Sequence, residues 1–192
     1  MHKNDYPTLE QLEVELDRES NKKRYRNQLI STVSVLIVVA AIAVLFSTLF
    51  FPVFRIYGSS MEPTIQEGDI LVSNKNAHLK TGDVVVFSYN NKLLVKRVIG
   101  TAGQWIDMDE DGNVYVDNIL LNEPYLKEKT YGNSTIEYPY QVPDGKYFVM
   151  GDNRSISQDS RNQDIGCIEE EQILGKALIR IWPFSSIHYF EE

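Results

Sequence analysis

LISTVSVLIVVAAIAVLFSTLFF, residues Leu29–Phe51, runs 23 residues without a charge inside an uncharged stretch from Asn27 to Phe54. As a helix it measures ~34 Å, enough to cross a ~30 Å hydrocarbon layer. Ala41-Ile42-Ala43 has the small-x-small look of a cleavage site. Apolar residues continue well beyond it, however, and the apolar region of a cleaved leader is only about 7–15 residues long. The stretch therefore predicts an uncleaved anchor. Five Lys/Arg lie between Arg18 and Arg26, and only Arg55 follows closely. The positive-inside rule places residues 1–28 in the cytoplasm and residues 52–192 outside, on a single-pass cell-membrane topology. Ahead of the span, Pro7 to Gln11 opens a short helix with Thr8 as cap and Gln11 in capping-box spacing. Leu9, Leu12 and Leu16 share one face, so this helix reads as a surface tether or a docking helix.

Charge and cysteine usage narrow what the rest can be. Lys and Arg total 19 against 27 Asp and Glu, a net of −8, and residues 1–28 carry six of each. The whole deficit thus lies beyond the cytoplasmic segment, with no basic block, which argues against nucleic acid as a partner. One cysteine, Cys167, excludes an internal disulfide and a cysteine-based zinc site. His2, His78 and His188 are too scattered for a ligand set. No metal and no cofactor are predicted.

After the span the texture is that of a mainly β domain. Ile70-Leu71-Val72, Val84 to Phe87 and Leu93-Leu94-Val95 are short apolar runs bounded by Gly, Asp or Asn, with Asn90-Asn91 as a hairpin turn. Val114 to Val116 sits between Asp/Asn/Gly clusters as part of a small hairpin module, and 104–142 reads as an insertion whose end, 122–142, is a surface excursion. Lys146–Met150 is predicted as a strand, Glu169–Leu174 as at most one short helix, and Ala177–Trp182 as a closing strand.

Three stretches carry chemistry: Gly58-Ser59-Ser60-Met61-Glu62-Pro63-Thr64, then Leu93-Leu94-Val95-Lys96-Arg97-Val98-Ile99-Gly100, then Gly151-Asp152-Asn153-Arg154-Ser155-Ile156-Ser157-Gln158-Asp159-Ser160-Arg161. Pro63 pushes Glu62 out of helical conformation, so Ser60 is expected just before a stiff extended segment. A serine hydroxyl is a weak nucleophile until a base takes its proton. Without a suited histidine, the base must be another group, and a lysine serves only when its amine is neutral. In strand alternation Lys96 shares a face with Leu94 and Val98. It either snorkels from an exposed edge or is held inward and uncharged, and the pattern leaves both open. Arg97 faces the other way and is expected in solvent. Local turn hydrogen bonding accounts for Asp152 and Asn153.

Serine, lysine and the GDNR-x-x-S-x-D-S-R block, in that order, resemble the bacterial type I signal peptidase (leader peptidase) family, from about Phe54 to the C-terminus. The resemblance implies a membrane-anchored β-rich extracytoplasmic domain acting as a Ser-Lys dyad serine endopeptidase. Ser60 would be the nucleophile and Lys96 the general base. Ser157 would hydrogen-bond and orient the lysine, and Asp159 with Arg161 would form an ion pair shaping the site. Leu93, Leu94 and Val95 match the edge that pairs with an extended peptide. Phe54, Ile56, Met61, Ile65 and Val95 match the lining of shallow pockets for small residues at −1 and −3 of Ala-x-Ala sites. Partners implied are precursor proteins bearing signal peptides, the lipid bilayer and proximity to the secretion translocon.

Many longer members carry an auxiliary serine two residues before the nucleophile. Here Gly58 stands there, so catalytic support at that position would come from backbone N–H groups, including that of Ser60. Ser60 lies nine residues beyond Phe51, at most ~30 Å from the membrane boundary. Phe50, Phe51, Phe54 and Trp182-Pro183-Phe184 are candidates for the interface. Two other readings remain at this stage. A self-cleaving repressor-type peptidase shares the Ser-Met pair and downstream lysine but needs a DNA-binding domain where this chain has a span. A non-enzymatic membrane-anchored binding module would be indifferent to loss of Ser60 or Lys96.

Overall fold

The computed structural model describes residues 8–190, so His2 and Pro7, the predicted start of the N-terminal helix, lie outside them. Two compact units divide between Phe46 and Ser47. The first is built on helix α1, Leu9–Phe50. The predicted short helix and the predicted span are one continuous rod, because no proline or glycine interrupts residues 8–51. At its start Thr8 N–H donates to Gln11 Oε1 at 3.0 Å and Gln11 N–H to Thr8 Oγ1 at 3.4 Å, the expected capping box. No residue of the helix is buried, and its most apolar window reaches a mean hydropathy of 2.9. By length and composition the helix is consistent with a membrane anchor.

The second unit is antiparallel β throughout. Along the chain run β1 (Val53–Arg55), β2 (Ile70–Asn74), β3 (Val84–Tyr89), β4 (Lys92–Gly100), β5 (Trp105–Met108), β6 (Val114–Val116), β7 (Ile119–Leu120), β8 (Tyr140–Gln141), β9 (Lys146–Met150), β10 (Ile168–Glu169), β11 (Ile173–Trp182) and β12 (His188–Tyr189). The larger sheet is ordered β1-β2-β11-β3-β4-β9-β10 with β12 on β11, and the smaller β7-β6-β5-β8. Asn90 and Asn91, at φ 48° and 59°, form the predicted hairpin turn, since asparagine tolerates the left-handed region. The short helix predicted over Glu169–Leu174 is a single 3-10 turn, Glu170–Gln172.

Strand β4 organises the site. Its first half, Lys92 to Lys96, pairs only with β3, whereas Arg97 pairs with both β3 and β9 and Val98 and Gly100 pair with β9. One edge of Leu93–Val95 is therefore open. Strand β1 is the outer strand of the sheet and pairs only with β2. One core cluster, Ile56, Met61, Ile65, Leu71, Val84 and Ala177, anchors the turn that follows β1. A second, including Val85, Phe87, Val98 and Val149, fills the middle of the larger sheet. The smaller sheet closes a third around Ile106, Val114, Phe148 and Met150. Residues 122–142 are more than a surface excursion, because Glu123, Ile136 and Val142 are buried. Their apolar members complete that third cluster, a role that irregular backbone does not advertise in sequence.

Candidate active site

Between β1 and the turn, Gly58 adopts φ 87°, a conformation costly for any residue with a Cβ. The chain then coils rather than extending as expected: Glu62 N–H donates to Ser59 O at 3.2 Å and Ile65 N–H to Met61 O at 3.0 Å. The Glu62-Pro63 bond is cis. Met61 and Ile65 plug this coil into the core, which leaves Ser60 half-buried at its rim.

Lys96 arrives from the neighbouring strand, 2 % exposed, with Nζ 2.6 Å from Ser60 Oγ. The inward alternative left open by the sequence is the one realised. Burial drives its pKa down from 10.5 to about 8; Asp159 opposes the shift and Arg161 reinforces it. With its pKa near 8, a substantial fraction of this amine is neutral close to physiological pH, the state in which an amine accepts a proton.

The 151–161 segment wraps the back of the pair. Asp159 and Arg161 are both buried and joined in a fork, with Nε to Oδ1 at 2.8 Å and Nη2 to Oδ2 at 2.9 Å. Burial pushes the Asp159 carboxyl up, but the Arg161 hydrogen bonds and charge, with the Gly151 N–H, outweigh it and hold the group below the carboxylate range. Ser157 does not make the expected bond to the lysine. The Lys96 amine is engaged by Ser60, and the buried Ser157 Oγ instead lies on the side of the Asp159 carboxylate, whose pKa it helps to lower. It packs at Gly151, where an added Cβ would lie 2.2 Å from that Oγ and 2.5 Å from Ser60 O.

Two readings of the neighbourhood need correction. Arg97 is buried, not in solvent: it forks onto Asp152 at 2.9 and 2.6 Å, donates to Gly82 O at 2.7 Å and lies 3.8 Å over the Tyr125 ring. Alternation gave its face correctly, but that face is covered by the 122–125 segment. Asp152 is accordingly more than a turn residue, since it also accepts from Thr64 Oγ1 at 2.6 Å and so ties the serine coil to β4. Glu123 and Arg154 form a further buried pair beside it. The clue available in sequence was the charge density of the GDNR block, too rich for a solvated turn.

On the other side of Ser60 opens a mainly apolar cavity of about 460 Å³. Its lining includes Phe54, Ile56, Met61, Leu93, Leu94 and Val95, six of the seven residues expected there, together with Gly58 and Ser60 itself. Ile65 is not among them: fully buried, it belongs to the core under the coil. The cavity also touches Arg55–Tyr57 and Lys92, so it lies between the open edge of β4 and the β1 end of the sheet.

The chain is similar to known proteins. Residues 29–182 match the family described as signal peptidase, peptidase S26. Signal peptidase I of Bacillus licheniformis is 33% identical over 184 residues, covering 89% of this chain and 96% of its own. Signal peptidase IB of Staphylococcus aureus (strain MRSA252) is 37% identical over 177 residues, 79% of this chain and 91% of its own. A solved signal peptidase I from Enterococcus faecalis V583 aligns at 29% identity and a TM-score of 0.45, over 52% of this chain and 97% of that one.

Proposed function

Because the chain belongs to the signal peptidase family, peptidase S26, and is a signal peptidase I that removes signal peptides from precursor proteins, we propose that it does so through Ser60 and Lys96. Neutral Lys96 takes the Ser60 proton as Oγ bonds to the scissile carbonyl carbon. The resulting ammonium returns a proton to the departing amine as the C–N bond breaks, which leaves the signal peptide acylated on Ser60. Water, deprotonated by the same amine, then frees the acid and regenerates the serine. The observation that carries this reading is the 2.6 Å contact between a buried lysine amine and a half-exposed serine hydroxyl.

The precursor is held as a strand against the open edge of Leu93–Val95, a β-addition mode, with its small −1 and −3 side chains in the cavity lined by Phe54, Ile56, Met61, Leu94 and Val95. The mainly apolar walls supply no charge partner for a basic −1 residue. The long apolar helix fits a membrane anchor. Its basic flank, Arg18 to Arg26, supports residues 1–28 in the cytoplasm and 52–192 outside, near the bilayer and the translocon that delivers substrates.

The test is cleavage of a precursor carrying an Ala-x-Ala site by the purified full chain in detergent. Wild type should cut after the second alanine, while Ser60→Ala and Lys96→Arg, both folded, should not. An active Lys96→Arg chain would remove lysine as the base, because guanidinium stays protonated.

A further inference from the structure

We infer that Asn153 is the positioning residue of the oxyanion site, acting through the peptide plane between Ser59 and Ser60. Its carboxamide Nδ2 donates to Ser59 O at 3.3 Å, and its backbone N–H donates to Ser60 O at 3.0 Å. Two consecutive carbonyls of the nucleophile's coil are thus held by one residue from the 151–161 segment. The Ser59-Ser60 bond is trans, so its C=O and N–H point in opposite directions. Ser59 O also accepts from Glu62 N–H at 3.2 Å within the coil, so the Asn153 amide is the second of two donors that hold this carbonyl and with it aim the Ser60 N–H away from Asn153. Among the described residues that N–H donates to no group, which leaves it available for the charge that develops when Ser60 Oγ attacks.

The orientation of the amide is itself fixed. Ser155 Oγ donates to Asn153 Oδ1 at 3.0 Å, so the oxygen of the amide is occupied and the nitrogen faces Ser59. Gly58 gives this arrangement its weight: the position carries no hydroxyl that could serve as a second donor. With no side-chain donor at 58, the direction of one backbone N–H decides how well the oxyanion is met, and Asn153 sharpens the direction that the coil bond from Glu62 begins to set.

The inference rests on Ser60 being the nucleophile, and the experiment separates the two. A peptide aldehyde ending in Ala-x-Ala accepts Ser60 Oγ at its carbonyl carbon, the serine proton passing to Lys96, and leaves an oxyanion where the substrate's would form. The alcohol of the same sequence binds without that charge. Inhibition by both is measured on the full-length wild type, Asn153→Asp, which keeps the size but replaces a donor by an acceptor, and Ser155→Ala, at an exposed position. Asn153→Asp should lose ~10- to 30-fold in aldehyde affinity, below the ~100- to 1,000-fold cost of deleting an oxyanion donor itself, while the alcohol changes less than about twofold. Ser155→Ala should show a smaller loss with the same selectivity, kcat falling at constant KM. Should wild type bind the aldehyde no tighter than the alcohol, the nucleophile assignment fails and this inference with it. If the wild-type preference for the aldehyde survives undiminished in either variant, or both inhibitors weaken together, the positioning role alone is overturned.

Discussion

Replacing Lys96 by methionine should produce an inactive protein that is more stable than the wild type at neutral pH. Burial brings the Lys96 pKa from 10.5 to about 8, which at about 1.4 kcal/mol per unit is ~3 kcal/mol against the folded state whenever the amine is charged. The folded chain loses its proton near 8 while the unfolded chain keeps it to about 10.5. Across that window the unfolded state binds more protons, so stability rises with pH; below it the penalty is present in full, and above it the penalty is gone. Methionine fills comparable volume without charge but forfeits the bond to Ser60 Oγ, worth ~1 kcal/mol. The balance favours Lys96→Met by ~2 kcal/mol near pH 7, shrinking to zero and reversing as the pH approaches about 10.5. Urea titration of the full chain in detergent, followed by the fluorescence of Trp105 and Trp182, measures it; both tryptophans lie in the β unit. A variant less stable than wild type near pH 7, or a difference that does not move with pH, refutes the reasoning.

The same shift predicts that kcat/KM rises with pH to a midpoint near 8, falling to roughly a fifth of its midpoint value one unit below it. Gly151→Ala should abolish cleavage, because its Cβ would meet Ser157 Oγ and Ser60 O at 2.2 and 2.5 Å; a pre-steady-state burst assay would show no acylation. Gly58→Ser meets open space but sits at φ 87°, so it should cost ~1–2 kcal/mol in urea titration and lower kcat, where an unstrained backbone would have gained a donor. Arg97→Met strands the Asp152 carboxylate in a site where its side chain is 1% exposed. It should destabilise the β unit by ~3–5 kcal/mol in the same titration.

The sequence was most informative where a residue's type alone implied its setting. An uncharged run of the length of Leu29–Phe51 implies one long apolar helix, and Asn90-Asn91 one common turn. Lys96 after Leu93-Leu94-Val95 was ambiguous until the Ser60 and GDNR motifs stood beside it. What stayed hidden depended on what covers what. Arg97 was assigned to solvent because alternation names a face but not its neighbour, and the neighbour is Tyr125, far along an irregular segment. Ile65 was placed in the substrate cavity and lies in the core, since both settings want an aliphatic side chain. Glu62 was expected extended before Pro63, yet the coil is set by the burial of Met61 and Ile65 on its two sides. Ser157 was given to the lysine, but its hydroxyl faces Gly151.

The two sheet margins that frame the cavity, the β4 edge at Leu93–Val95 and the outer strand β1, are an unpaired template, and such a template does not ask whose strand fills it. Any extended apolar segment, including one from a second copy crowded into the same patch of membrane, presents the same ladder of N–H and C=O groups. Arg55 and Lys92, both exposed at the ends of those margins, are the kind of residue that keeps such edges from sticking to one another. Their charges put a ceiling on how greasy the entrance can become in any variant engineered for tighter substrate capture. Past it, the gain in grip would be taken up by self-association.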